Sequence, residues 1–494
     1  MPIELGVHPD VPVRRLPVYL HSDDRRVIVR QFAAAPQRVQ RVFDGISKMP
    51  EDQISKIMEW VESAYQHRHR ALPAALLEHY EIGSKLINWH PDWSGERRLL
   101  AGAYLTMEYS IESAALFNPS VCLHPNQSGV PAGAVRFIMS LRATGEGHVS
   151  SIVFRTGIIT PDDSVTLEAL PSRLHRSQMS PDRRYLKPTF TKKLHEMGIV
   201  GTFVDRVMSQ LGDRFTLQEL TTLAQVIDIG SENPMRAESF LRTIIWLAES
   251  NYHIELAPDA RLDELVIFPM SSEDSHGMED LRMTRFVDDD QTVSYYGTYT
   301  AYNGVRTLPM LLETSDFRRI EFHSLNGATA LNKGMALFPR RINGLYTMCS
   351  RIDGESLYIA QSQSVYFWET AKLLIAPKHP WELMQIGNCG APMETPRGWL
   401  LLTHGVGPMR TYAIGAMVLD LEDPTKVIGH LRHPLLTPTD GEREGYVPNV
   451  VYTCGSIIHG DDLFIPFALA DTSTSLAVVN VEALIDQAIK DLNA

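Results

Sequence analysis

The chain has 494 residues, 44% of them hydrophobic, and a formal charge of −13. That length exceeds one ordinary compact domain and allows a sizeable core, although large β architectures use it as one unit. The acidic balance argues against a general nucleic-acid binder. The four scattered cysteines (Cys122, Cys349, Cys389, Cys454), with no CxxC spacing, argue against a zinc or disulfide framework. No apolar run is long enough to span a membrane, and Met1-Pro2-Ile3-Glu4-Leu5 lacks a signal-peptide pattern, so a soluble, cytoplasmic chain is expected.

Strand-like pieces open the chain, at Val18-Tyr19-Leu20 and from Arg26 to Phe32. Residues 36 to about 113 read as helical. Ile54, Ile57, Met58, Val61 and Ala64 follow helical spacing after a Pro50-Glu51-Asp52 start, Leu76 to Leu86 suggests a second helix, and Glu96 to Ala114 a third. His67 and His69, beside Arg68 and Arg70, fit no metal spacing and read as a solvated basic turn.

The texture changes at Phe117-Asn118-Pro119, where short strands take over. Val135–Met139 and Val149–Phe154 flank Gly145-Glu146-Gly147-His148, a hairpin pattern without the lysine and helix of a nucleotide loop. Helical periodicity returns over about 173–250, in Lys192–Gln210, Leu217–Ile227 and Ala237–Ser250. From about 253 to 485 strands recur between Pro and Gly clusters, as in a barrel, sandwich or propeller. The expected division is a mostly helical accessory region over 1–114 and a β-rich domain over 115–494, with a helical insertion at about 173–250.

Two adjacent carboxylates and an arginine, Glu279-Asp280-Leu281-Arg282, lie in a short segment between strand-forming runs. Such a group either forms a surface ion pair or aims a proton donor into a cleft. Trp368 and Trp399 read as core.

Several segments, taken in order, resemble glycoside hydrolase family 130, the β-mannoside phosphorylases and related β-mannosidases. They are Met278-Glu279-Asp280-Leu281-Arg282, then Lys333 to Pro339 with Ile342-Asn343-Gly344, then Met348-Cys349-Ser350-Arg351. Ile386 to Pro392, Thr395, Gly398-Trp399-Leu400, His404-Gly405-Val406, Leu419-Asp420 and Glu442 to Val451 follow. The resemblance covers roughly residues 115–485. It implies a mainly β fold, a five-bladed β-propeller, with the helical region and insertion outside the common core.

The resemblance also implies roles. Asp280 would be the acid, acting through a substrate hydroxyl in the phosphorylases. Glu279 and Arg282 would orient it or touch the sugar. Lys333, Arg351 and His404 would hold phosphate, and Asp471 would bind mannose. Arg142 and Tyr299 are further substrate-binding candidates. The implied activity is inverting phosphorolysis of a β-mannosidic bond to α-mannose 1-phosphate. Partners are an oligosaccharide and phosphate, without nucleic acid or membrane, and a homo-oligomer is left open. No metal or cofactor is implied beyond phosphate as co-substrate. Glu394 departs from the pattern where a basic residue can stand in phosphorylases. It opens the alternative of an inverting β-mannosidase with Glu394 as general base, and equally a role for Glu394 in holding Lys333 or Arg351 in place. A non-catalytic sugar-binding propeller is the remote alternative.

Overall fold

The computed structural model describes residues 10–89, 92–171, 173–177, 184–230, 232–271, 274–305 and 307–494. Four helices follow the first two strands: α1 Pro36–Ser47, α2 Glu51–Tyr65, α3 Leu72–Leu86 and α4 Gly95–Tyr104. In α2 the acidic pair Glu51 and Asp52 lies at the positive N-terminal end, and Ile54, Met58 and Val61 form the buried face. These side chains pack with Phe43, Leu76, Tyr80 and Leu100 into a core of their own. The helix expected over Glu96 to Ala114 stops at Tyr104. Thr106–Ser110 instead pairs antiparallel with Val27–Gln31, so tertiary pairing overrides the helical reading. His69 is another correction: it is 5% exposed, and its Nε2 lies 2.7 Å from Glu108 Oε1.

A buried ion cluster ties this region to the sheets. The Glu112 carboxylate, fully buried, accepts from Arg26 Nε and Arg155 Nη2, each at 2.7 Å.

The later helices are α5 Lys187–Glu196, α6 Thr202–Ser209, α7 Leu217–Val226 and α8 Pro234–Ser250. They too have a separate core, around Phe203, Phe215 and Leu247. The single amphipathic run expected over Lys192–Gln210 is two helices, broken at Gly198 and Gly201, both at positive φ.

The rest is a set of sheets. The largest has eleven strands. Within it Ala115–Leu123, Val135–Thr144 and Ser150–Ile159 form an antiparallel run, as do Gly277–Val287, Val293–Tyr302, Thr307–Thr314 and Arg319–Ser324. The Gly277–Val287 and Ser150–Ile159 strands meet at a single parallel pair, Gly277 with Ser150. A four-stranded sheet runs from Ala336–Leu337 to Ala371–Ile375, and a five-stranded one from Gln385–Asn388 to Val427–His430. In the last sheet the N-terminal strand Arg14–Leu20 pairs with Ser473–Asn480, near the other end of the chain. The architecture is thus several sheets with attached helices. A helix α9, Val481–Leu492, follows where strands were expected to 485. It buries Leu484, Ile485 and Ala488 and is capped by Asn480, whose side chain accepts from Ala483 N at 3.0 Å. Among the described residues no helix is long and apolar enough to cross a membrane.

Candidate active site

Adjacent residues of a strand normally point to opposite faces. Glu279 and Asp280 escape that rule through a bulge. Glu279 stands opposite Thr300 and Arg282 opposite Thr298, so Asp280 and Leu281 share one partner position. Leu281 goes into the core at 3% exposure, and Asp280 takes φ 58°. Asn118 repeats the device: register slips between Phe117 and Ser120, and Asn118 takes φ 49°. Asp471, in the turn before Ser473–Asn480, is at φ 52°. Three residues at positive φ therefore serve one place, since Asn118 Nδ2 donates to Asp280 Oδ1 at 2.7 Å and Asp280 and Asp471 lie within electrostatic reach of each other. Non-glycine residues in that region are strained, and such strain concentrates at functional sites.

Cations surround the carboxylates. Arg142 Nη2 reaches Glu279 Oε1 at 3.0 Å, and its Nη1 lies 3.4 Å from Asp280 Oδ1. Lys333 Nζ donates to Glu279 Oε2 at 2.5 Å. Arg282 donates from Nη1 to the Asp280 carbonyl at 2.9 Å and from Nη2 to the Tyr452 hydroxyl at 2.5 Å. Arg351 Nη1 donates to His404 Nε2 at 3.2 Å, and the His404 ring packs edge-on to Tyr452 with centroids 5.0 Å apart. The Nε atoms of Arg282 and Arg351 and the Oδ1 of Asn388 are buried without a hydrogen-bond partner.

The charges set the protonation states. Burial pushes the Asp280 carboxyl up, but Arg142, Arg282, Lys333 and Asn118 together hold it below the usual carboxylate range. Asp471 goes the other way: burial, then the Asp280 charge, raise it to about 6. Burial, then Arg351 and Arg282, drive the His404 imidazole well below its ordinary value, so it is neutral at pH 7. Burial also lowers Arg351, with repulsion from Arg282 opposing its charge while the Tyr452 phenol favours it.

Of the residues singled out in the sequence, Glu279, Asp280, Arg282, Arg142, Lys333 and Asp471 come together, with Arg351 and His404 adjoining through Arg282 and Tyr452. Two do not join them. Tyr299 is 3% exposed and packs in the core against Phe322, because it faces the bulge from the core side. Glu394 is an exposed residue in a bidentate pair with Arg340 at 2.9 and 2.8 Å, and Arg340 lies over the Trp399 ring. It stands opposite Trp399, five residues along the strand from His404, or about 17 Å. This position argues against Glu394 as a general base. Trp368 and Trp399 are both fully buried core. Asn118, Asn388 and Tyr452 escaped the sequence reading. Asn118 and Asn388 lay inside quoted segments, but a carboxamide or phenol carries no charge signal of its own.

A family model for glycoside hydrolase family 130, described as beta-1,4-mannooligosaccharide phosphorylase, matches residues 238–489. The chain belongs to glycoside hydrolase family 130. The match begins inside α8 and takes in the Glu279–Arg282 bulge, Lys333, Arg351, His404 and Asp471. Among curated family members, a beta-1,2-mannobiose phosphorylase of Thermoanaerobacter sp. (strain X514) is 32% identical over 260 residues, 51% of this chain and 82% of that one. A 1,2-beta-oligomannan phosphorylase of the same organism is 32% identical over 226 residues, 45% and 74% of the two chains. The solved beta-1,2-mannobiose phosphorylase from Listeria innocua, in complex with beta-1,2-mannobiose, aligns with 77% of this chain and 93% of its own at 21% identity and a TM-score of 0.46. The linkages named among these relatives include both β-1,4 and β-1,2.

Proposed function

We propose that this family 130 protein is an inverting β-mannoside phosphorylase, releasing α-mannose 1-phosphate. The observation that carries the reading is the Arg351–His404–Arg282 group beside Asp280. It holds two guanidiniums with buried, unpartnered Nε atoms and a neutral imidazole next to the carboxylate assigned as acid. Closely spaced cations in a partly desolvated site attract an anion, and guanidinium forks suit phosphate oxygens.

In this reading phosphate lies against Arg351, His404 and Lys333 and attacks the anomeric carbon from the face opposite the leaving sugar. The glycosidic C–O bond breaks, and the leaving oxygen takes a proton supplied by Asp280 through a sugar hydroxyl. Configuration inverts. In the free site the surrounding cations favour ionised Asp280. A bound phosphate dianion offsets those cations and raises the carboxyl, so the acid is charged with its proton when the nucleophile is present. Asp471 and Arg142 hold the mannose and the Glu279–Asp280 pair.

The fold belongs to the same proposal: a five-bladed propeller as catalytic domain, with residues 1–114 as accessory region and about 173–250 as insertion. Support comes from the eleven-stranded sheet, whose halves join at one residue pair and read as two blades. The pairing of Arg14–Leu20 with Ser473–Asn480 supports the same reading, since a propeller needs a strand from early in the chain beside one from late in it.

The test is the phosphate dependence of initial rates on a β-mannobioside for wild type and Arg351→Ala. The reading expects saturation by phosphate in wild type and a phosphate KM at least tenfold higher in the variant. A rate independent of phosphate contradicts it.

A further inference from the structure

His379, Glu382 and His430 offer three ligand atoms that all lie within 4.8 Å of one another, outside the carboxylate cluster described above. Two elements supply them. His379 and Glu382 stand on the turn between strands Ala371–Ile375 and Gln385–Asn388. His430 ends the strand Val427–His430 at the far edge of the next sheet. The turn is firmly seated. Trp381 is 2% exposed, its Nε1 donates to the Arg432 carbonyl at 3.1 Å, and its ring lies so close to Gly405 and Gly415 that a Cβ at either would come within 2.5 Å of it. Behind His430, Gly429 lets α9 approach the strand, with a Cβ there only 3.0 Å from Ile489 N.

The Glu382 carboxylate is oriented by its own turn. Oε1 accepts from the backbone N–H groups of Lys378 and His379 at 3.3 and 3.1 Å. Oε2 is left facing His430 Nε2 at 3.6 Å, beyond hydrogen-bond length. Glu382 is fully buried and His430 is 1% exposed, yet Glu382 Oε2 and both ring nitrogens of His430 are buried without a hydrogen-bond partner. Buried polar atoms left unsatisfied are costly, so three together point to a group that would satisfy them. The His379 ring lies 4.9 Å from that of His430.

We propose that His379, Glu382 and His430 bind a divalent metal ion of the zinc class, which clasps the 376–384 turn to the strand Val427–His430. Two imidazoles and one carboxylate suit zinc. Ligand atoms of one tetrahedral zinc lie roughly 3.3 Å apart, so the three groups need only a modest contraction. His379 is half-buried, which leaves the fourth position to water. The Glu382 Oε1 hydrogen bonds are the outer-shell contacts that fix a ligating carboxylate. The clasp has a structural role: Gly405, under Trp381, and His404 alternate to opposite faces of one strand, so the metal stiffens that strand without meeting the substrate. The sequence reading considered cysteines and His67/His69 and missed this set, although His-x-x-Glu at 379–382 was visible.

The test uses the full chain, equilibrated with Zn2+, desalted, and assayed for bound metal by mass spectrometry and for thermal unfolding. One zinc per chain is expected, with a midpoint that falls by several degrees on chelation and recovers on adding zinc. Glu382→Gln and His430→Ala should each weaken zinc binding at least tenfold. Should either fail to fold, His379→Ala, on the half-buried turn, must show the same loss with the fold intact. Wild type that retains no zinc and whose midpoint ignores zinc and chelator would reduce the cluster to a Glu382–His430 ion pair and overturn the proposal. Equal zinc retention by wild type and His379→Ala would overturn it too.

Discussion

At the residue scale two aspartates that share Arg142 are driven in opposite directions, Asp280 down and Asp471 up. Asp280 is the proposed proton donor, and Asp280→Asn keeps the shape and the Asn118 contact within reach. Turnover should drop about a hundredfold to ten-thousandfold with the unfolding midpoint little changed. A folded variant with near-normal turnover would remove Asp280 from the mechanism. Asp471 gives a prediction about stability. Its folded pKa of about 6 lies above the ordinary value of 3.8, so the folded state holds its proton longer than the unfolded chain does. Its stabilising contribution is therefore complete below about pH 4 and is lost as pH rises through 6. Asp471→Asn removes the ionisable group and suits the left-handed backbone. The variant should be more stable than wild type at pH 7.5, by at most about 3 kcal/mol, with the gain vanishing near pH 4. Denaturant unfolding at the two pH values checks this, and a gain equal at both would place the effect elsewhere. Activity should fall in the same variant, since Asp471 is assigned to the sugar.

At the scale of elements, strands carried their own signal while the irregularities that build the site did not. Val293–Tyr302, rich in β-branched and aromatic residues, forms a strand, and the hairpin around Gly145–His148 is present, although its strands run on past Met139 and Phe154 to Thr144 and Ile159. The charged segment at Glu279–Arg282 was legible as chemistry through its motif. The bulges at Asn118 and Asp280 were not, because a one-residue slip is decided by what packs on either side, here Leu281 in the core. Tyr299, named as a sugar contact for its aromatic ring, lies instead on the core face of a regular strand with Tyr295 and Ala301. Helix α9 was overlooked because its apolar residues continue a strand-like run. Its cap makes it testable: Asn480→Ala should cost about 1 kcal/mol of stability and leave kcat/KM unchanged. Thermal unfolding read beside kinetics decides, and a loss of activity in a still-folded variant would tie α9 to the site.

At the scale of the whole molecule, the N-terminal region was legible as two strand pieces and then helices, but the distant partners of those strands were not. The strand Arg14–Leu20 completes the sheet that ends at Asn480, and Glu112 locks Arg26 to Arg155 in a buried triad. Neither long-range partnership leaves a local trace. Glu112→Ala would strand two buried guanidiniums, at 5% and 4% exposure, and should cost about 3–5 kcal/mol. The urea midpoint measures that cost, and a change under 1 kcal/mol would show the triad to be dispensable. The active-site cluster draws its residues from strands and turns between Asn118 and Asp471, so its activity depends on the sheets keeping their relative places. The central claim is that phosphate, not water, attacks the mannoside there. Incubation with β-1,2- and β-1,4-mannobiosides, with and without phosphate, followed by product analysis, addresses it most directly. The account predicts α-mannose 1-phosphate formed only when phosphate is present. Free mannose released at the same rate without phosphate would contradict it.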